Sequence, residues 1–172
     1  MLNFNAKNAK RLSTLVFILL LSSALLNPKS ARSEKEKTTD YVGYEESADV
    51  NGKDEHTYPN GNTYKEERED KQPDEYGTLT YENGGNYIGG LIDSYFRHGN
   101  GKLTLPDGST YEGGFRYGEF YGEGKLISSN GVIYEGYFKH NMPNGKGKLT
   151  LPNGTICEGY FEDGEFIGEK KI

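Results

Sequence analysis

Tryptophan is absent from the 172-residue chain, and cysteine occurs once, as Cys157. A single thiol forbids an internal disulfide, so packing and hydrogen bonds must hold the fold. The lone cysteine neither requires nor excludes an oxidising compartment. Alanine nearly disappears after residue 40, where Ala48 is the only one. A segment so poor in helix formers argues against helices there. Histidine is scarce as well. His56, His98 and His140 lack the spacing of a helical metal site, and none stands near Cys157 to activate its thiol. These shortages leave no recognisable nucleophile, metal site or cofactor site, so the chain is expected not to be an enzyme.

What is present is distributed unevenly. All 24 glycines and all 14 tyrosines follow residue 40, the composition of strands and turns, which predicts an all-β segment. The net charge of −6 conceals a split. Residues 1–40 carry seven Lys/Arg against three Asp/Glu, residues 41–82 carry four against twelve, and residues 83–172 carry nine against eleven. No basic cluster suits a phosphate backbone, so nucleic acid is not an expected partner. The same balance argues against charge-driven binding to anionic lipid.

Lys7, Lys10 and Arg11 precede an uncharged run from Leu12 to Leu26, which Asn27-Pro28 stops. A basic stretch followed by a short apolar one is the pattern of an export signal. Fifteen helical residues span about 22 Å, less than a hydrocarbon core of roughly 30 Å. Residues 1–31 are therefore expected to be an apolar helix serving as a signal peptide or an N-terminal membrane anchor. The protein would then be exported (periplasmic, secreted or in a secretory pathway) or membrane-anchored. Residues 32–40 read as a disordered polar spacer.

Self-similarity dominates the rest. Asn/Asp-Gly pairs fall at 60–61, 83–84, 107–108, 130–131 and 153–154, spaced 23, 24, 23 and 23 residues apart. Three residues after each Gly stands Tyr64, Tyr87, Tyr111, Tyr134 or, in the last copy, Cys157. The later copies continue as YIGGL, YEGGF, YEGYF and CEGYF, and three of them reach GNGKL, GEGKL or GKGKL. This pattern resembles the MORN repeat (membrane occupation and recognition nexus), with YEGGFRYGEFYGEGKL at 111–126 matching nearly every position. The resemblance divides residues 83–172 into copies at 83–106, 107–129, 130–152 and a partial 153–172. Residues 41–82 hold degenerate acidic copies, in which Glu66 and Arg68 replace the repeat's Gly and Phe. It implies a non-catalytic module for scaffolding, dimerisation and protein contact, with lipid binding argued for some members.

The turns set a register. A three-residue loop Pro106-Asp107-Gly108, with Gly108 left-handed, predicts that Leu103 pairs with Tyr111, Gly101 with Gly113 and Lys102 with Glu112. The same loop at the later copies pairs Leu126 with Tyr134, Lys125 with Glu135, Leu149 with Cys157 and Lys148 with Glu158. Gly84, Gly108, Gly131 and Gly154 are the structural turn residues. The expected fold is a single-layer twisted antiparallel meander of stacked β-hairpin repeats. One face would carry aromatic and aliphatic residues and the other would carry Lys–Glu pairs. A lone hairpin is marginal in water, so stacking is itself a condition of stability.

Two readings of the aromatic face stay open. Tyr87, Tyr111, Phe115, Tyr134, Phe138 and Phe161 could form a concave groove for a partner, or could be the fold's own core. Tyr95, Phe96, Tyr117, Phe120, Tyr121 and Met142 are read as loop residues free to contact a partner. The expected function is presentation of these loops and the aromatic face to a protein. A peripheral phospholipid-binding module and an extracellular glycan-binding repeat are the alternatives, the latter disfavoured by the missing tryptophan. The terminal CEGYF strand is left as an open edge through which a homodimer could form.

Overall fold

In the computed structural model the described residues are 55–57, 61–66, 76–92 and 96–168. They form eleven strands: β1 (Glu55–Thr57), β2 (Thr63–Glu66), β3 (Tyr76–Thr80), β4 (Asn86–Ile92), β5 (Phe96–Thr104), β6 (Thr110–Arg116), β7 (Glu119–Ile127), β8 (Ile133–Lys139), β9 (Met142–Thr150), β10 (Ile156–Glu162) and β11 (Glu165–Gly168). Each pairs antiparallel with its neighbour in sequence, so the sheet is one open meander ordered from β1 to β11. The apolar N-terminal helix, the spacer at 32–40 and Tyr95 lie outside the described residues. No helix among the described residues is long and apolar enough to cross a membrane.

Two kinds of turn alternate along the chain. The wider kind closes β5 to β6: Leu105 N–H donates to Ser109 O at 2.8 Å, and Gly108 N–H donates to Leu105 O at 2.9 Å. Gly108 sits at φ +85°, as the three-residue loop requires. Asp107 supports the turn with its side chain: Oδ1 accepts from Ser109 N–H at 2.9 Å, and Oδ2 accepts from Ser129 Oγ of the next such turn at 3.2 Å. The same pair of backbone bonds recurs at 81–85, 128–132 and 151–155. The narrower kind is a two-residue loop, Tyr117-Gly118, His140-Asn141 or Asp163-Gly164, with both residues at positive φ. That conformation suits the right-handed twist of the flanking strands.

The turns hold three rows of residues across the sheet. Leu79, Tyr87, Leu103, Tyr111, Leu126, Tyr134, Leu149 and Cys157 follow one another as paired partners from β3 to β10. Two residues along each strand runs a row of glycines: Gly77, Gly89, Gly101, Gly113, Gly124, Gly136, Gly147 and Gly159. Between them lies Lys102, Glu112, Lys125, Glu135, Lys148 and Glu158, which points to the opposite face. The register expected from the turns is the register observed.

A single sheet has no second layer to cover its apolar face. Here the tyrosine rings lie down along their own strands and roof the glycine row. A Cβ added to Gly124 would stand 2.5 Å from Tyr111 Oη, and one on Gly147 would stand 2.3 Å from Tyr134 Oη. The hydroxyls end on backbone: Tyr87 Oη donates to Gly90 O at 2.7 Å, Tyr111 Oη to Gly114 O at 2.9 Å and Tyr134 Oη to Tyr137 O at 3.1 Å. Phenylalanines fill the spaces between rings. Phe138 stands edge-on to Tyr111 at 5.1 Å and to Tyr134 at 5.0 Å.

The terminal edge differs from expectation. β11 pairs with the end of β10, Phe161 opposite Phe166 and Tyr160 opposite Gly168. The CEGYF strand is thus covered at its Tyr160-Phe161 end. The reason is a narrow turn at Asp163-Gly164 that folds the chain straight back.

Candidate functional site

The aromatic face is consumed by the fold. Tyr87, Tyr134 and Phe138 have no exposed surface, and Tyr111, Phe115 and Phe161 are also buried. The groove reading of these six residues gives way to the core reading, because rings that lie on glycines and on one another leave nothing to touch. Burial raises the Tyr87 hydroxyl above its ordinary pKa, with Arg97 partly opposing, and burial alone raises Tyr111 and Tyr134. The same cause pushes the Cys157 thiol up. None of these is a poised acid or base. Among the described residues no three His, Cys, Asp or Glu side chains gather as a metal site.

Sequence reasoning missed a spacing inside this core. Each roofing ring and the glycine beneath it are separated by thirteen residues, or fourteen in the copy with the extra residue: Tyr87 with Gly101, Tyr111 with Gly124, Tyr134 with Gly147. Tyr64 does the same to Gly77, whose added Cβ would meet Tyr64 Cε2 at 2.5 Å. The degenerate copy therefore keeps this contact although it has lost the usual Gly and Phe at Glu66 and Arg68. In the last copy the partners would be Cys157 and Lys170, so the ring and the glycine are lost together. That covariation was visible in the sequence.

Of the six residues assigned to loops, Tyr117 is in a turn and is 63% exposed. Phe96, Phe120, Tyr121 and Met142 are in strands. Phe120 is buried and stacks on Tyr111 with centroids 3.7 Å apart and an interplanar angle of 11°. Its paired position in neighbouring copies is Arg97, Pro143 or Phe166, three unlike residues, which hid a core site. Arg97 fills its version of that slot by donating from Nη1 to Tyr81 Oη at 2.9 Å and from Nη2 to Gly118 O at 2.8 Å. The turn glycines are where expected, Gly84 at φ +91°, Gly108 at +85°, Gly131 at +83° and Gly154 at +80°.

A chain in which hairpins of 23 residues repeat across one sheet invites a family comparison. A model of the MORN repeat matches residues 69–86, 95–110, 111–133 and 134–156. The chain is a MORN-repeat protein. Comparison with curated proteins finds no match. The MORN hairpin continues structurally past the last matched residue, since β10 and β11 carry it to Gly168.

With the core face closed, the outer face of the MORN sheet is what a partner can reach. Its centre is the alternating charge row, with Lys125 Nζ 2.9 Å from a Glu135 carboxylate oxygen and Lys102 Nζ 3.9 Å from one of Glu112. The row is near neutral and offers little to an anionic surface. The margin beside the narrow turns is different. Arg116 lies over the ring of Tyr121 at 5.3 Å and that of Tyr117 at 6.0 Å. Tyr117 meets His98 edge-on at 5.6 Å. One turn further on, His140 Nδ1 is 2.8 Å from Glu119 Oε2. Aromatic side chains, Arg116 and the His140–Glu119 pair thus gather along one margin.

Proposed function

We propose that this MORN array is a non-catalytic scaffold that binds a protein partner on its outer face, and that its N-terminal segment exports or tethers it. MORN repeats are in general binding and scaffold modules, and the family is generally non-catalytic. The observation that carries the reading is the division of the two faces. The inner aromatic face is buried against its own backbone, while Tyr117, Tyr121 and Tyr137 stand exposed. Exposed aromatics beside arginine are the usual makings of a protein contact. The neutral charge row supports a protein partner over a phospholipid surface, which draws on runs of unpaired basic residues. Lys7, Lys10 and Arg11 ahead of the Leu12–Leu26 run support export or tethering.

The test is affinity capture with the full chain, from the cell fraction in which its mature N-terminus has been sequenced. A specific partner that is lost from a Tyr117→Ala/Tyr121→Ala variant is the expected result. Capture unaffected by outer-face changes, or no partner in any fraction, would sink the reading.

A further inference from the structure

The copies share their inner face but differ on the outer one, and the junction of β7 with β8 stands apart there. Three outer rows cross it: Ile127 opposite Ile133, Lys125 opposite Glu135 and Glu123 opposite Tyr137. One copy earlier the same rows hold Thr104 opposite Thr110, Lys102 opposite Glu112 and Asn100 opposite Gly114. One copy later they hold Ile156 opposite Thr150, Glu158 opposite Lys148 and Tyr160 opposite Lys146. The fold therefore does not require isoleucine on both strands, yet β7 and β8 have it. Ile127 and Tyr137 nevertheless stand exposed in the middle of the sheet, at 38% and 48%. The Lys125 and Glu135 side chains between them are half exposed.

Going beyond the scaffold reading, we propose that the outer face over β7 and β8 binds the same face of a second copy, forming a two-fold dimer. The charge row argues for a second copy as the occupant. A two-fold axis parallel to the strands lays each outer row on itself in reverse order. With the axis midway between β7 and β8, Lys125 of each copy faces Glu135 of the other, so both contacts attract. An axis placed on a strand would instead set lysine over lysine and glutamate over glutamate. The alternation thus admits only axes that run between strands, and β7–β8 is where isoleucine then meets isoleucine. Ile127 and Ile133 of both copies form one apolar cluster beside the charges, and Tyr137 can donate its hydroxyl to Glu123 of the second copy. Sheets packed face to face cross at about 30°, so only the rows nearest the axis stay in register. The contact is accordingly smaller than the roughly 1,600 Å² of a standard stable interface, and the dimer is a reversible one. Burial of the isoleucines supplies the attraction, and the charges fix the register.

Sedimentation of the full chain between about 1 and 200 µM should show a monomer–dimer equilibrium. Lys125→Glu sets glutamate against Glu135 across the axis, and Glu135→Lys sets lysine against Lys125. Each variant alone should dimerise roughly tenfold more weakly than the parent or worse. Mixed in equal amounts, the two should associate again as a heterodimer, because both contacts across the axis are then between opposite charges. That recovery cannot come from an ion pair within either chain. An Ile127→Thr/Ile133→Thr variant copies Thr104 and Thr110, so it should fold like the parent and also dimerise roughly tenfold more weakly. It serves as the test should either charge reversal disturb folding. A parent that stays monomeric throughout the range overturns the proposal. So do variants that dimerise like the parent, as association through the N-terminal segment would have them do, and so does a mixture that fails to recover. A protein partner captured by a chain that stays monomeric would leave the scaffold reading standing and remove this one alone. A dimer that captures no partner would do the reverse.

Discussion

Replacing Gly124 by alanine tests the core directly. Gly124 lies in β7 with ordinary extended backbone, so an alanine there is not strained by φ. The new methyl carbon would stand 2.5 Å from Tyr111 Oη and 2.7 Å from Cε2 and Cζ, about 1 Å inside normal carbon contact. Tyr111 cannot yield freely, because Phe120 stacks on it at 3.7 Å and Phe115 and Phe138 stand edge-on at 5.1 Å. Overpacking of this kind costs about 1–3 kcal/mol. Moving the ring also gives up the hydroxyl bond to Gly114 O, worth about 0.5–1.5 kcal/mol. The lower entropy of an unfolded chain with alanine offsets about 0.4–1 kcal/mol. The net expectation is a loss of about 2–3 kcal/mol, read by urea unfolding. The last copy suggests the control, since it has Cys157 where the ring should be. With Tyr111→Cys already made, Gly124→Ala should cost close to nothing, a coupling of about 2–3 kcal/mol in the double-mutant cycle. Additive effects within about 0.5 kcal/mol would refute the claim that ring and glycine act as one unit.

Other expectations follow from the same contacts. Tyr87, Tyr111 and Tyr134 have raised hydroxyl pKa values, so the unfolded chain ionises first as pH climbs past about 10. Stability should be full below that point and then fall by up to about 4 kcal/mol per pH unit for the three together; a flat stability profile up to pH 11.5 would contradict their burial. Arg97→Met should destabilise by about 1.5–3 kcal/mol through lost bonds to Tyr81 and Gly118, and Arg97→Lys should not restore it, as denaturant melts would show. Lys125→Met should change stability by less than about 1 kcal/mol despite the 2.9 Å ion pair, because both partners are half exposed.

The pairing of Leu103 with Tyr111 and of Lys102 with Glu112 was legible because an Asn/Asp-Gly turn admits few loop geometries, and alternation then assigns every face. The narrow turns were not legible. Their requirement is positive φ at two residues, and Tyr117-Gly118, His140-Asn141 and Asp163-Gly164 meet it with different side chains. For the same reason Phe120 read as a loop residue, although it lies one pair away from such a turn and inside the core. The choice between groove and core was undecidable from alternation, which shows that rings share a face but not whether they stand up or lie down. The glycine row decides it, since a ring lying along its strand needs a neighbour without a side chain.

The narrow turns are also tied to one another. Gly118 N–H donates to Arg97 O at 2.9 Å, Asn141 N–H to Phe120 O at 3.3 Å and Gly164 N–H to Pro143 O at 2.9 Å, each reaching back one copy. Neighbouring hairpins are thereby bolted at the rim as well as laced through the sheet, which stiffens the margin against splaying. The protein becomes a ruler: inserting one copy would lengthen it by about 10 Å and move every later turn by one whole division. Copy number is then a setting of reach, adjustable in steps without redesign of any hairpin.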